Sequence, residues 1–155
     1  MAEMTQRRMR TVSTDFQTRE EGEDLKIEVY FALFDSVYEM APGLSESIAP
    51  GAFTKTLSGD IRALTNHDTT LVLGRTKAHT LELREDSRGL WGSISINRKD
   101  ADAMNLYERV KRGDVDQCSF GFDIRSEDTD IREDGSIHWT LREVDLYEVS
   151  CCTFP

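Results

Sequence analysis

The stretch Gln117-Cys118-Ser119-Phe120-Gly121-Phe122-Asp123-Ile124 decides the fold class of this chain. Its apolar side chains recur at every second position and share one face: Cys118, Phe120, Phe122 and Ile124. A period of two is that of a β-strand with one face in a core. Ser119 falls on the opposite face beside Gly121, and glycine within a strand often marks the close approach of another backbone. The pattern predicts an accessible serine that an extended peptide could reach, with an ordinary serine on a solvated strand face as the alternative.

Similar alternation recurs along the chain. It predicts further strands over residues 26–34, 61–64, 71–73, 79–84, 90–96 and 137–149, with the 79–84 and 90–96 pair forming a hairpin. Helical spacing predicts one long helix from Asp100 to Arg112, capped by Asp100 and followed by Gly113, and a short helix beginning near Ala52. Many strands joined mostly by short connections indicate an α+β fold, mainly antiparallel β, in the form of a β-barrel with flanking helices.

Residues 1–24 are polar and charged, without periodicity, which predicts a mobile N-terminal arm. Residues 25–155 are long enough to bury one core and are expected to form a single domain.

The composition argues against several classes of function. Of the 155 residues, 38% are hydrophobic and 31% charged, and the formal net charge is -10. A nucleic-acid partner is not expected, because binding phosphates requires an excess of Lys and Arg. A membrane partner is not expected either, since no run approaches the roughly 18 apolar residues of a spanning helix.

The cysteines and histidines give no sign of a disulfide framework or a metal site. The three cysteines are odd in number, and Cys151 and Cys152 are adjacent, so a reducing cytoplasm is the simplest setting. No pair has C-x-x-C or H-x-x-x-H spacing. We therefore expect neither a metal nor a cofactor.

A serine hydroxyl needs a neighbouring base, usually a neutral histidine, to act as a nucleophile. The chain offers three histidines, namely His67 in a polar loop tip, His79 at the start of a strand and His138 in the last strand. Spacing alone does not choose among them.

The last strand contains an unexpected carboxylate. Alternation places Glu148 on the same face as the apolar Val144 and Leu146, so it points towards the interior. A buried carboxylate needs a partner, and one use for it is to orient a catalytic histidine. Alternatively, the strand is twisted or lies at an edge, and Glu148 reaches solvent.

Four blocks follow one another along the chain: residues 48–53, residues 64–68 followed by 73–75, residues 113–122, and residues 145–150 running into 153–155. In this order they resemble the prohead (capsid maturation) proteases of tailed bacteriophages, which are similar in fold to the herpesvirus assemblins. The resemblance implies that His67 is the base and Ser119 the nucleophile. It makes Glu148 the favoured third member, because Glu148 lies inside a matching block. His138 remains the alternative, since the assemblins use a second histidine later in the chain than the nucleophile.

The resemblance also implies what the protein acts on. A serine endopeptidase of this family would cleave the scaffold, or the scaffold-like segment of the major capsid protein, and itself, inside the procapsid in the host cytoplasm. Self-association is expected by analogy with the assemblins. The oxyanion donor is either backbone N–H or a water held by arginine, with Arg125 and Arg142 as candidates. The alternatives are a non-catalytic capsid assembly factor with the same fold, and a protease that uses Cys118, which alternation buries.

Overall fold

The computed structural model describes residues 8–13 and 15–154. Within them lie eleven strands, one α-helix and one short 3-10 helix. The strands are β1 (Arg8–Ser13), β2 (Gln17–Glu21), β3 (Asp24–Leu33), β4 (Tyr38–Ala41), β5 (Leu44–Ile48), β6 (Arg62–Thr65), β7 (Asp68–Arg75), β8 (Leu81–Glu85), β9 (Gly89–Ile96), β10 (Gln117–Ile131) and β11 (Ile137–Cys152). The helix α1 spans Ala101–Arg112, and the 3-10 helix spans Thr56–Ser58.

The described strands form two sheets. The larger follows the order β1-β10-β11-β5-β4, with β6 pairing with β11 and with β7. The smaller follows the order β2-β3-β9-β8. Two segments lie parallel to β11 at different points along its length, β5 beside Ile137–Leu141 and β6 beside Glu148–Cys151. The end of β11 is therefore flanked by β10 on one side and β6 on the other.

Aromatic side chains fill the core. The rings of Phe53 and Phe120 meet edge to face with centroids 5.7 Å apart, and Phe120 stacks on Phe122 at 4.9 Å. All three are fully buried. Burial of each phenyl group contributes about 1.5–3 kcal/mol, so the apolar face of β10 anchors the strand that carries Ser119.

Helix α1 follows the predicted pattern. Asp100 caps its first turn by accepting a hydrogen bond from the N–H of Asp102, and Gly113 ends it in the left-handed conformation at φ 89°. Its buried side chains recur at helical spacing: Ala103, Leu106, Tyr107 and Val110. The predicted helix, the β8–β9 hairpin and the mainly antiparallel α+β fold class are confirmed.

Several sequence predictions about particular segments were wrong. The sequence indicated no element before residue 25, but β1 and β2 lie there at the edges of the two sheets. The mobility of this arm stays a prediction. An edge strand is held mainly by backbone hydrogen bonds and needs no apolar periodicity, so neither strand leaves a signal in the sequence. Residues 1–7 of the predicted arm lie outside the described residues. The predicted helix near Ala52 is a run of turns that leads into the 3-10 helix.

Candidate active site

A β-bulge between β10 and β11 sets the geometry of the site. Gly121 pairs with Glu148, but the next residue, Phe122, pairs with Leu146, which leaves Tyr147 as an extra residue in β11. A bulge shifts the alternation of the strand that carries it. The prediction that Glu148 shares the apolar face of Leu146 was therefore wrong. The bulge turns Glu148 towards the face of β10 that carries Ser119 and Gly121.

Gly121 makes room for the carboxylate. A Cβ atom at Gly121 would lie 2.7 Å from Oε1 of Glu148, a separation that atoms in contact do not reach. The Glu148 side chain thus lies directly over the backbone of β10, and it is nearly buried, with 9% of the residue exposed. A larger residue at position 121 would push the carboxylate away.

His67 lies in the tight turn that joins β6 to β7. Asn66 and His67 form the two-residue loop, and both have left-handed backbone angles, with φ of 51° and 57°. This conformation costs a residue other than glycine about 1–3 kcal/mol and is often found at functional sites. The turn is fixed to β11 by hydrogen bonds from the N–H of Asn66 to the carbonyl of Cys151 (2.9 Å) and from the N–H of His67 to Oγ of Ser150 (3.1 Å).

Side-chain hydrogen bonds link the turn to the carboxylate. Nδ1 of His67 is hydrogen-bonded to Oε1 of Glu148, and the hydroxyl of Ser150 donates to Oε2 at 2.6 Å. Both carboxylate oxygens are therefore held. A carboxylate on Nδ1 fixes the tautomer of a neutral imidazole and leaves Nε2 free to accept a proton.

The same ring also has a strongly raised pKa. Two hydrogen bonds raise the pKa of His67 to about 9, and the one to Cys152 has a larger effect than the one to Glu148. The ring is consequently protonated at neutral pH, and it can act as a base only after losing that proton.

Ser119 shares this face of the sheet, but it is buried. It pairs with Ser150 of β11 on one side and with Thr11 of β1 on the other. Only 1% of the residue is exposed, and its hydroxyl has no hydrogen-bond partner among the described residues. The expectation of an accessible serine was therefore wrong, and the pairing of β1 along the outer edge of β10 was not foreseen either.

A cleft of about 450 Å³ opens beside these residues. It is lined by His67, Gly121 and Glu148 together with Met9, Asp60, Arg62, Leu64, Thr69, Val72 and Tyr147. The strands β1, β6, β7, β10 and β11 all contribute to it.

Comparison with known proteins places the chain in a family. Residues 12–155 match the model of a family described as the caudovirus prohead serine protease. This chain belongs to that family. The prohead protease of Enterobacteria phage HK97 is 30% identical over 129 residues, which are 81% of this chain and 55% of that protein. The chain thus spans about half the length of this curated relative.

The fold also resembles that of a solved phage protease. The structure of the bacteriophage T4 capsid assembly protease, gp21, matches with a TM-score of 0.62 at 12% identity, covering 97% of this chain and 98% of that chain. At this identity the likeness concerns the fold alone. The likeness to the herpesvirus assemblins stays a prediction.

The other two histidines that the sequence analysis considered lie outside this cleft. His138 is held between two hydroxyls, with Oγ of Ser45 2.7 Å from Nδ1 and Oγ of Ser47 2.8 Å from Nε2. It is ten residues from Glu148 along β11, roughly 33 Å at the rise of a strand. His79 is exposed in the turn before β8. The structure therefore brings Glu148, and not His138, to His67.

Cys118 and the two arginines are also accounted for. Cys118 is fully buried, and its thiol donates to the carbonyl of Tyr30 at 3.3 Å. Arg125 is paired with Asp145 on the exposed surface, and Arg142 with Asp128 at 2.7 Å. Neither guanidinium lines the cleft that contains His67 and Glu148.

Sequence reasoning missed two residues of the site. Ser150 and Cys152 both contact His67. Alternation along β11 places them on the same face as Glu148, and the bulge at Tyr147 turns that face towards Ser119. Ser150 lies inside the last of the four matching blocks, which was the available signal. Nothing in the sequence pointed to Cys152. No group of three or more His, Cys, Asp or Glu side chains suited to a metal ion occurs in the described ranges, and none of their helices is long and apolar enough to cross a membrane.

Proposed function

We propose that this chain is a serine endopeptidase of phage procapsid maturation, with Ser119 as nucleophile, His67 as base and Glu148 as the residue that orients the base. The observation that supports it best is the hydrogen bond between Glu148 and Nδ1 of His67, on the sheet face that carries Ser119. Membership of the prohead serine protease family supports the same assignment.

In the proposed reaction, neutral His67 takes the proton of the Ser119 hydroxyl through Nε2 as Oγ attacks a peptide carbonyl. Glu148 stabilises the imidazolium that forms. The tetrahedral oxyanion is stabilised by N–H donors. His67 then protonates the leaving amine, and the C–N bond breaks to give an acyl-enzyme. Water, deprotonated by His67, attacks the ester, and the C–O bond breaks to release the acid and restore Ser119.

The substrates we propose are the scaffold or scaffold-like segment of the major capsid protein, and the protease itself. The reaction would take place inside the procapsid in the host cytoplasm, with self-association as part of its control. Neither a cofactor nor a nucleic acid takes part in this mechanism.

Co-expression with the cognate capsid protein tests the proposal. Wild type is expected to trim the capsid protein, whereas Ser119→Ala should abolish trimming, because loss of a triad nucleophile costs on the order of 10⁶ in rate. Cys118→Ala is the matched control and should retain activity. Trimming by Ser119→Ala would contradict the assignment, and no trimming by folded wild type would favour the non-catalytic assembly factor.

The third member is tested in the same assay. Glu148→Gln keeps the shape of the side chain but removes its charge, and we expect a large loss of trimming. His138→Ala should leave trimming intact, since its ring is bound by Ser45 and Ser47. Full activity of Glu148→Gln would remove Glu148 from the proposed triad.

A further inference from the structure

The strand β1 occupies the edge of β10 beside Ser119. It runs antiparallel to β10 from the pair Arg8–Phe122 to the pair Ser13–Gln117, with Thr11 opposite Ser119. On its other side, β10 pairs with β11. Both edges of the strand that carries the hydroxyl are therefore filled by this chain itself.

Ser119 is also buried in this arrangement. The residue is 1% exposed, and its hydroxyl has no hydrogen-bond partner in the described part of the chain. Met9 of β1 lines the cleft that contains His67 and Glu148, so β1 forms the wall of the cleft on the side of β10.

An extended peptide fits the same edge. Neighbouring strands lie about 4.8 Å apart, so a peptide paired with β10 would run within a few Å of the Ser119 hydroxyl. Addition of a strand to a sheet edge is a general mode of peptide recognition, in which main-chain hydrogen bonds provide affinity and alternate side chains enter pockets. The cleft next to this edge offers such a pocket.

We propose that the edge of β10 beside Ser119 is the binding site for the substrate peptide, and that β1 occupies it in place of substrate. The inference rests on the proposed function. The described structure is then the latent form, and the competent form has β1 displaced from β10 and an extended segment of the substrate protein in its place.

A buried ion pair holds β1 in position. Arg10 reaches across to Glu46 of β5, with Nη2 2.9 Å from Oε2, and Glu46 is only 2% exposed. The Arg10 guanidinium also lies 5.5 Å from the centre of the Phe122 ring. Displacement of β1 would leave the Glu46 carboxylate unpaired, so β1 has a specific anchor rather than backbone pairing alone.

The test measures how fast a fluorophosphonate labels Ser119 in the full chain, by intact mass, at pH 9. Thr11→Pro removes a backbone N–H and distorts β1 at the position opposite Ser119. We expect labelling to become roughly tenfold faster, because a proline in β1 weakens its pairing with β10 and raises the displaced fraction. Thr18→Pro, in the edge strand β2 of the other sheet, is the matched control and should label as wild type does.

Two further measurements keep the test decisive. Val12 pairs with Cys118, so oxidised Val12→Cys should link β1 to β10 and slow labelling, and dithiothreitol should restore the rate, while wild type is unaffected by either treatment. A synthetic peptide of residues 8–13 should slow labelling of Thr11→Pro in a saturable way, and a scrambled peptide should not.

The outcomes separate this inference from the proposed function. Equal labelling of wild type, Thr11→Pro and oxidised Val12→Cys would overturn the role of β1 while leaving Ser119 as the nucleophile. No labelling of Ser119 in any folded variant would overturn the proposed function, and this inference with it. If Thr11→Pro does not fold, the oxidised Val12→Cys variant still decides. A confirmed disulfide between its introduced cysteine and Cys118, with an unchanged labelling rate, would overturn the inference.

Discussion

The ring of His67 has a thiol and a carboxylate as neighbours, those of Cys152 and Glu148, and both raise its pKa. Because the raised pKa of about 9 exceeds the ordinary value, the ring is positively charged below that pH. We expect the labelling rate of Ser119 to rise with pH through about 9. An NMR titration of the His67 ring checks the pKa directly, and a midpoint near 6.5 would contradict the environment described.

Removing either partner should lower this pKa. In Glu148→Gln the ring loses its charged acceptor, and in Cys152→Ala it loses the larger of the two causes. Both variants are expected to titrate at lower pH than wild type, but only Glu148→Gln should lose most of its maximal rate. The raised pKa of His67 also makes stability depend on pH. The interactions of the charged ring stabilise the folded protein fully below the pKa of an unfolded histidine, and this contribution is lost as pH rises through about 9.

We propose that Ser150 positions the ring of His67 without touching the reacting atoms. Its hydroxyl accepts from the N–H of His67 and donates to Glu148. In Ser150→Ala a strained turn loses a partner, and we expect kcat to fall by about 10² through misplacement of the ring, with a smaller change in KM. Ser150→Thr keeps the hydroxyl and should restore much of the rate. A Ser150→Ala enzyme with unchanged kcat and an unchanged His67 pKa would exclude this role.

The bulge in β11 places the side chain of Glu148 against Gly121 of β10. Gly121→Ala would bring a Cβ to 2.7 Å from Oε1 of Glu148, so we expect a loss of activity on the order of 10²-fold with the fold retained by circular dichroism. A double-mutant cycle with Glu148→Gln checks the cause. If Gly121 acts through Glu148, the double variant should be little worse than Glu148→Gln alone, whereas additive losses would point to another cause.

The strand β1 depends on its ion pair. Arg10→Ala leaves Glu46 buried without a partner, and we expect a loss of about 3–5 kcal/mol in the free energy of unfolding, measured by urea denaturation. The double replacement Arg10→Met with Glu46→Met should recover most of this loss, because no charge is then left buried. A single Arg10→Ala variant of wild-type stability would show that the pair does not hold β1.

Local patterns in the sequence predicted those elements that bury an apolar face. The helix α1, the β8–β9 hairpin and the core face of β10 were found this way. The edge strands β1 and β2 were not, since backbone pairing across the sheet leaves no periodic trace. The sheet face on which Glu148 lies could not be predicted either, because the bulge at Tyr147 depends on the register between β10 and β11.

Across the whole molecule, the site forms where four strands meet. The turn after β6 provides His67, β11 provides Glu148 and Ser150, and β10 provides Ser119, with β1 along its outer edge. The block resemblance located three of these residues in sequence, but their relative placement and the burial of Ser119 arise from long-range pairing. The residues of the proposed triad could therefore be named from the sequence, whereas the burial of Ser119 could not.

The most direct test is to find where a fluorophosphonate binds. Wild-type protein labelled at pH 9 and digested should carry the adduct on the peptide that contains Ser119. Labelling should be lost in His67→Ala and strongly reduced in Glu148→Gln. An adduct on any other residue, or full-rate labelling of Ser119 without His67, would contradict the proposed triad.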